Sequence, residues 1–528
     1  MRDRRLISKV LKSGVSYVFA FFFAWVLILC LFFQHIEYMC KAVVKSSMLM
    51  LLFGMVLMMI VYLLTKLIVK RCRYKYTYFI VLGVTAVVLL GVQIFIVIHY
   101  YFISGWDSYC LIVAAQYIAN HGDMANPNMA TTFGYFSTYP NNMFLTYIYV
   151  ILIKVTNHLS ITDNNYLVIL CFQCILNMVA GVLMSLVVRK ITSNEALAIT
   201  AQLIYAIFIG VSPWNCVPYS DQMALIFPIL IVYLYLLKVD RNTLIFIKWM
   251  FIFFLAYVGY SIKPQVSIVL IAIVLGQALK FFSKHLNTKK SWGALIGAVV
   301  GIVLSINIVN VTVNSLNISI NKEGAYGLAH FAMMGANTER MGVWAGEDVE
   351  FSSTFETKEE RNKANWKVFE ERIKDMGVSG VYMQAVRKTL TNYNDGTFAW
   401  WKEGGFLLYP HEDVAAVDTK IKLIYNIESE GGTYNEKWSS FMQCIWLAIL
   451  ALLIPAAFYK NEKYESEIIV LFLALLGLSL FEMIFECRAR YLYTYAPLYI
   501  LIAMIGFERV LKRIYLKGWN YINGTENA

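Results

Sequence analysis

Charge is scarce in this sequence. Asp, Glu, Lys and Arg together make up 15% of 528 residues, while apolar types reach 59% and mean hydropathy is +0.59. Soluble domains carry about a quarter charged residues, so a water-soluble globule is excluded for most of the chain. Metal-ligand spacing is also missing. The nine cysteines lie mostly in or beside apolar runs. The pair Cys171 and Cys174 forms a CxxC inside an apolar helix, where small packing residues are expected. No heptad, solenoid period, internal repeat or low-complexity tract is present, whereas transporters tend to show paired repeats. No small-residue cleavage site closes the first apolar run, so that run reads as a retained helix rather than a signal peptide.

What the chain does have is apolar length. Runs near twenty residues cover 13–33, 46–65, 77–100, 143–157, 166–188, 195–212, 222–238, 243–260, 262–283, 292–313, 437–459, 466–485 and 491–508. In lipid each run must satisfy its own backbone, so each is a helix. The expected fold is an all-α polytopic membrane bundle with a large extracytoplasmic, mainly helical loop. Abundant Tyr and Phe, 35 and 34, fit interfacial aromatic belts.

The formal charge of +11 does not indicate nucleic acid. Residues 314–436 hold 13 basic and 19 acidic residues, net −6, and the remainder 32 and 15, net +17. The basic excess lies in short loops and at the ends, as the positive-inside rule requires. Arg2, Arg4, Arg5, Lys9 and Lys12 precede the first run; Arg509, Lys512, Arg513 and Lys517 follow the last. Both termini are therefore expected in the cytoplasm. Two cytoplasmic ends need an even number of crossings, so one of the thirteen runs must fail to cross. The shortest, 143–157, is that run. Setting it aside puts Lys66–Lys75, Arg189–Lys190, Lys238–Arg241, Lys284–Lys290 and Lys460–Lys463 inside, with Lys41 and Lys45 as outer exceptions. The organisation read this way is a transmembrane part over 1–313 with a first outer loop at 101–142, an outer loop domain over 314–436, and final transmembrane helices with a cytoplasmic tail over 437–528. Within the loop domain, Trp366, Phe369, Ile373 and Met376 recur at helical spacing. They predict an amphipathic helix over 359–376 lying on the membrane crown, followed by a second over 378–391.

Polar residues gather at the outer ends of the helices. The first outer loop opens with Trp106-Asp107 and closes with Tyr139-Pro140. A carboxylate at that height has two uses: taking a proton from a hydroxyl, or holding a divalent ion against a phosphate. It could equally cap the next helix. The next outer turn, Ser212 to Asp221, is broken by Pro213 and Pro218; irregular backbone at that depth must be covered by protein or line a cavity. It ends in Tyr219-Ser220-Asp221, where Asp221 is a second acid or another cap. Lys263 precedes Pro264 between two apolar runs, and Arg488 and Arg490 stand at an outer junction against the positive-inside trend. Arginine forks match phosphate oxygens; pairing with Glu482 or Glu486 is the plainer use. Asp107, Asp221, Lys263, Arg488 and Arg490 should thus share one face, with Trp106, Tyr139 and Tyr219 as sugar or lipid contacts. A polyprenyl-phosphate sugar has its phosphate at the interface, its chain in the bilayer and its sugar outside, and suits that set.

This ordered pattern resembles the GT-C superfamily of polytopic glycosyltransferases. It is similar to bacterial relatives of the protein O-mannosyltransferases, in the neighbourhood of glycosyltransferase family 39. The residues that carry the likeness are Trp106-Asp107, Tyr139-Pro140, Arg189-Lys190, Ser212-Pro213, Tyr219-Ser220-Asp221, Lys263-Pro264 and Arg488-Ala489-Arg490-Tyr491. His330 to Gly335, Trp344 to Asp348 and Gly396 to Trp400 are similar to a branch of Gram-positive membrane proteins. The resemblance implies inverting transfer of a hexosyl-type sugar from a polyprenyl-phosphate donor to an outer-face acceptor of the cell envelope: glycan, polymer or protein. It implies Asp107 as the catalytic acid, and Lys263 with Arg488 or Arg490 at the donor phosphate. It requires no cofactor beyond, at most, a divalent metal ion at Asp107. The sequence departs from the mannosyltransferase pattern in having Ser108 after Asp107 and two additional helices before the first-loop helix. Competing readings are a flippase or transporter of lipid-linked saccharides, and a polymerase of surface polysaccharide.

Overall fold

The structure is a computed structural model and describes residues 2–33, 46–72, 74–102, 104–122, 130–162, 164–281, 288–401, 403, 416–417, 419–426 and 432–522. Lys41, Lys45 and Lys284 lie outside the described residues.

Among the described residues, nine helices are long and apolar enough to cross a membrane: Leu6–Phe32, Ser47–Arg71, Thr77–His99, Asn165–Thr192, Asn242–Ile262, Lys290–Asn314, Asn435–Ala456, Glu465–Ile484 and Ala489–Ile514. Three shorter apolar helices, Glu195–Gly210, Ser220–Leu236 and Pro264–Lys280, complete the set of segments left once 143–157 is set aside. That segment folds as Met143–Leu159, and both its ends stay near the first outer loop. Beside its start, the Asn142 amide donates to the Tyr135 hydroxyl at 2.5 Å. Its end leads within a few residues to Tyr166, whose hydroxyl accepts from the Ser104 amide at 3.3 Å.

Burial separates centre from periphery. In Ala489–Ile514, 83% of the apolar window is buried, and in Asn435–Ala456, 72%; in Ser47–Arg71 it is 28%. The first two therefore form the axis, and the last turns most of its apolar surface outward, as lipid requires. Close helix packing in lipid favours small residues. A Cβ on Gly506 would run into the Leu452 carbonyl, and one on Gly54 into the Cys444 carbonyl.

Chain continuity puts two groups of helix ends together. At one end, Lys12 pairs with Glu465 at 2.6 Å, the Asn194 amide reaches Glu508 at 2.8 Å, and Lys238 donates to the Lys463 carbonyl at 3.1 Å. That end carries the basic loops. The other end carries the acids and arginines described below.

The region after Asn314 is mainly helical: Leu328–Gly335, Gly346–Ser353, Lys358–Tyr393 and Thr419–Tyr425. The long helix is broken at Gly377, φ 56°, so two helices replace one, as the spacing predicts. The burial differs from expectation. Trp366 is 41% exposed and packs edge-on against Phe369, while Arg361 and Asn365 are the buried positions. The reason is polar. Arg361 donates to the carbonyls of Ser352, Glu323 and Phe355, and three satisfied carbonyls outcompete an apolar stripe for the interior. Trp366 therefore turns to the surface, while Phe369, Ile373 and Met376 of the same stripe stay half-buried.

A candidate anion and carboxylate site

The broken backbone at 206–219 is covered by side-chain amides. The helix after Glu195 ends in a π turn, Ala206–Gly210, followed by a 3-10 turn at Pro213–Cys216. The Gln93 amide donates to the Gly210 carbonyl at 2.9 Å. The Gln173 amide donates to the carbonyls of Asn215 and Val217, both at 3.1 Å. Buried carbonyls without partners are costly, so these amides hold the loop in one shape. The loop delivers Tyr219 and Asp221.

Neither sequence-predicted acid caps a helix. Asp107 lies one residue inside Trp106–His121, whose N-cap is Gly105, and Asp221 lies inside Ser220–Ala224, whose N-cap is Tyr219; neither helix has a side-chain cap bond. Trp106 itself adopts φ 61°, a left-handed conformation that is an outlier for a bulky residue and costs on the order of 1–3 kcal/mol. It is 61% exposed, so it flanks Asp107 without enclosing it.

From Asp107 a chain of contacts runs to the arginines. The Tyr219 hydroxyl donates to Asp107 Oδ2 at 3.0 Å. The guanidinium of Arg490 lies over the Tyr219 ring, 5.6 Å from its centroid, and within 3.8 Å of Asp221 Oδ2. Lys263 Nζ bonds Asp221 Oδ1, both side chains being buried, and lies 4.8 Å from the Tyr491 ring centroid. Arg488 contacts Glu486 at 3.4 Å and bonds Glu403, which is also 3.6 Å from Arg490. On the Asp107 side, Tyr135 and Tyr139 pack with ring centroids 5.1 Å apart, and Tyr139 meets Tyr326 at 5.7 Å. Asp107, Asp221, Lys263, Arg488, Arg490, Tyr139 and Tyr219 thus form one contiguous set.

Burial sets the protonation of the flanking groups. It pushes Tyr219 well above the ordinary phenol value, reinforced by the Asp107 carboxylate and opposed by Arg490, so Tyr219 stays a donor. Burial lowers Lys263 while Asp221 pulls it back up. Burial raises Glu486 against the pull of Arg488 and Arg490.

Two participants, Glu403 and Lys388, were not legible in the sequence. Glu403 bridges both arginines. Glu482 is fully buried, and neither carboxylate oxygen has a hydrogen-bond partner among the described residues; it does not pair with the arginines as its position suggests. Lys388 donates to the carbonyls of Gly335 and Phe485, at 3.1 and 2.6 Å. The stretch His330 to Gly335 fastens the arginine junction: the Phe331 carbonyl accepts from the Glu486 amide at 2.9 Å, and a Cβ on Gly335 would meet the Ile484 carbonyl at 2.5 Å. A buried arginine pair demands counter-charge, and that demand is the one signal that points to a missing carboxylate.

Asp107 is a carboxylate of the kind magnesium or manganese accepts, but its hydrogen-bond partner Tyr219 is a protonated phenol that donates to it. Among the described residues no three His, Cys, Asp or Glu side chains converge as a metal site.

A helical bundle of this length and polarity, with charged groups gathered at one end, is a polytopic integral membrane protein. The chain belongs to the family described as conserved hypothetical integral membrane protein, which it matches over residues 7–511. No curated protein matches it. Among solved structures it is similar to the archaeal oligosaccharyltransferase AglB from Archaeoglobus fulgidus, determined in complex with an inhibitory peptide and a dolichol-phosphate. The identity is 14% and the TM-score 0.43, over 86% of this chain and 53% of AglB. The chain therefore spans about half the length of that enzyme.

Proposed function

We propose that the protein is a membrane glycosyltransferase of GT-C type that moves a sugar from a polyprenyl-phosphate donor to a cell-envelope acceptor on the outer face. The observation that carries this reading is the contiguous set itself. One carboxylate, Asp107, lies beside aromatic rings, and two arginines lie beyond Tyr219 in the same chain of contacts. The outer orientation follows from the basic loops at the opposite end of the bundle.

In this account the acceptor oxygen attacks the anomeric carbon while the bond from that carbon to the phosphate oxygen breaks. The electron pair leaves with the polyprenyl phosphate, whose charge Arg488 and Arg490 hold. The acceptor proton passes to Asp107. Attack opposite the leaving group inverts the anomeric centre. Asp221, tied to Lys263, orients Arg490, and Lys263 adds positive charge behind it. Trp106, Tyr139 and Tyr219 bound the sugar. A divalent ion held at Asp107 would supply Lewis-acid help to the leaving phosphate; the steps above run through the chain's own groups.

The test is the purified protein in liposomes with a labelled polyprenyl-phosphate sugar and an envelope-glycan acceptor. Glycosylated acceptor and free polyprenyl phosphate should appear in equal amounts. Movement of intact donor between leaflets without cleavage would assign a flippase instead.

A further inference from the structure

Both arginines proposed to hold the donor phosphate are already engaged by a carboxylate of this chain. Glu403 bonds Arg488 through one oxygen and stands 3.6 Å from Arg490 Nε through the other. Its side chain is only 9% exposed, and those of Arg488 and Arg490 are 18% and 16% exposed, so water has little share in the contact.

The fit is incomplete on one side. Arg490 Nε is buried and has no hydrogen-bond partner among the described residues, because 3.6 Å is too long for one. An orphaned guanidinium N–H in a buried site is costly. A planar carboxylate that bonds Arg488 leaves the second arginine short. A tetrahedral phosphate holds its free oxygens, two in the donor's diester and three in the released monoester, in different directions and can serve both forks at once.

Glu403 is also placed with some strain. The turn before it contains two successive left-handed residues, Phe398 at φ 54° and Ala399 at φ 70°. The Asp395 carboxylate stabilises that turn by accepting from the amides of Thr397 and Ala399, both at 2.8 Å. Trp214 Nε1 donates to the Thr397 carbonyl at 3.1 Å, and the Glu403 amide returns to the Ala399 carbonyl at 2.8 Å. Two non-glycine residues in that region cost on the order of 1–3 kcal/mol each, and the result is a carboxylate aimed between two arginines.

We infer that Glu403 is an internal stand-in for the phosphate of the lipid-linked ligand: it occupies the Arg488–Arg490 fork when the site is empty, and the phosphate of the donor, or of the prenyl phosphate it releases, displaces it. This rests on the proposed function, since the fork is that reading's phosphate subsite. The exchange makes and breaks ion pairs only. The carboxylate turns out of the fork as the phosphate enters, which keeps the buried arginines neutralised in both states.

The sign of one substitution tests it. A stand-in competes with phosphate, so removing its charge tightens binding; a purely structural partner supports the arginines, so removing it weakens binding. The full-length protein in nanodiscs is titrated with a short-chain prenyl phosphate and, separately, with inorganic phosphate. Glu403→Gln should bind prenyl phosphate about tenfold more tightly than wild type, the scale of one hydrogen bond to a charged group. Glu403→Asp, which keeps the charge but shortens its reach, should fall between and controls for misfolding. Tightening confined to prenyl phosphate assigns the fork to a lipid-linked ligand; equal tightening for inorganic phosphate assigns it to free phosphate. Unchanged or weaker binding in Glu403→Gln, with wild type binding normally, overturns the stand-in and leaves the phosphate subsite intact. No binding by any of the three proteins overturns the subsite and the stand-in together.

Discussion

Tyr219 joins the two halves of the site: its hydroxyl donates to Asp107 Oδ2 at 3.0 Å, while its ring carries the Arg490 guanidinium 5.6 Å from the centroid. A single side chain thus sets the spacing between the proposed proton acceptor and the proposed phosphate cations. Tyr219→Phe keeps the ring and removes the hydroxyl. It should lower the transfer rate by about tenfold, the worth of one hydrogen bond to a charged group, with donor affinity nearly unchanged. Paired measurements of rate and donor binding check this; a fall in binding alone would place Tyr219 with the phosphate rather than the base.

Arg490 is predicted to act through its fork as well as its charge. Arg490→Lys should recover part of the donor affinity lost in Arg490→Ala, because an ammonium supplies charge without the planar donor pair. Equal affinity in wild type, Arg490→Ala and Arg488→Ala would remove the phosphate role from both arginines.

Outer-region stability should depend on pH through His330. Burial pushes this residue down to about 4, helped by Arg361 and opposed by Asp348; its ring stacks 4.2 Å from Tyr326 and its Nδ1 lies 2.7 Å from Ser352 Oγ. The unfolded chain protonates near the ordinary value of 6.5, so it takes up the proton first. Stability from this group is complete above about 6.5 and declines as pH falls toward about 4. The loss should reach roughly 2 kcal/mol by pH 5. Hydrogen exchange across 328–353 at pH 7.5 and pH 5 measures it, and His330→Asn should flatten the difference.

Sidedness can be read in whole cells. Lys358 is exposed in the outer region, and native Cys72 is exposed at the basic end. A cysteine placed at Lys358 should react with an impermeant thiol reagent in intact cells, and Cys72 only after permeabilisation. The reverse pattern would invert the orientation and move the proposed site to the cytoplasm.

The helices were legible because lipid leaves the backbone no alternative: an apolar run such as 77–100 has only one structure open to it, observed as Thr77–His99. Asp107, Asp221, Lys263 and Arg490 were legible as a group because each sits at a helix end, and alternating crossings assign ends to sides. Glu403 was not. It lies 85 positions from Arg488 in sequence, in a stretch without periodicity, and nothing local says which acid will neutralise a buried guanidinium. The Trp366 stripe misled for a related reason. Its apolar spacing is real, but the buried face of that helix is decided by Arg361, whose guanidinium finds three backbone carbonyls among neighbouring turns. Periodicity reports apolar faces and is silent on a cation that needs acceptors.

The central claim is that Asp107 takes the acceptor's proton. Asp107→Asn preserves the side chain's size and its capacity to accept from Tyr219, and removes only the base. The decisive measurement is single-turnover transfer from a polyprenyl-phosphate sugar by the purified variant, with donor binding followed in parallel. The account predicts a loss of roughly a hundred- to ten-thousand-fold in rate with donor affinity retained. A near-normal rate in Asp107→Asn would contradict it, and Asp221 would then be the carboxylate to test.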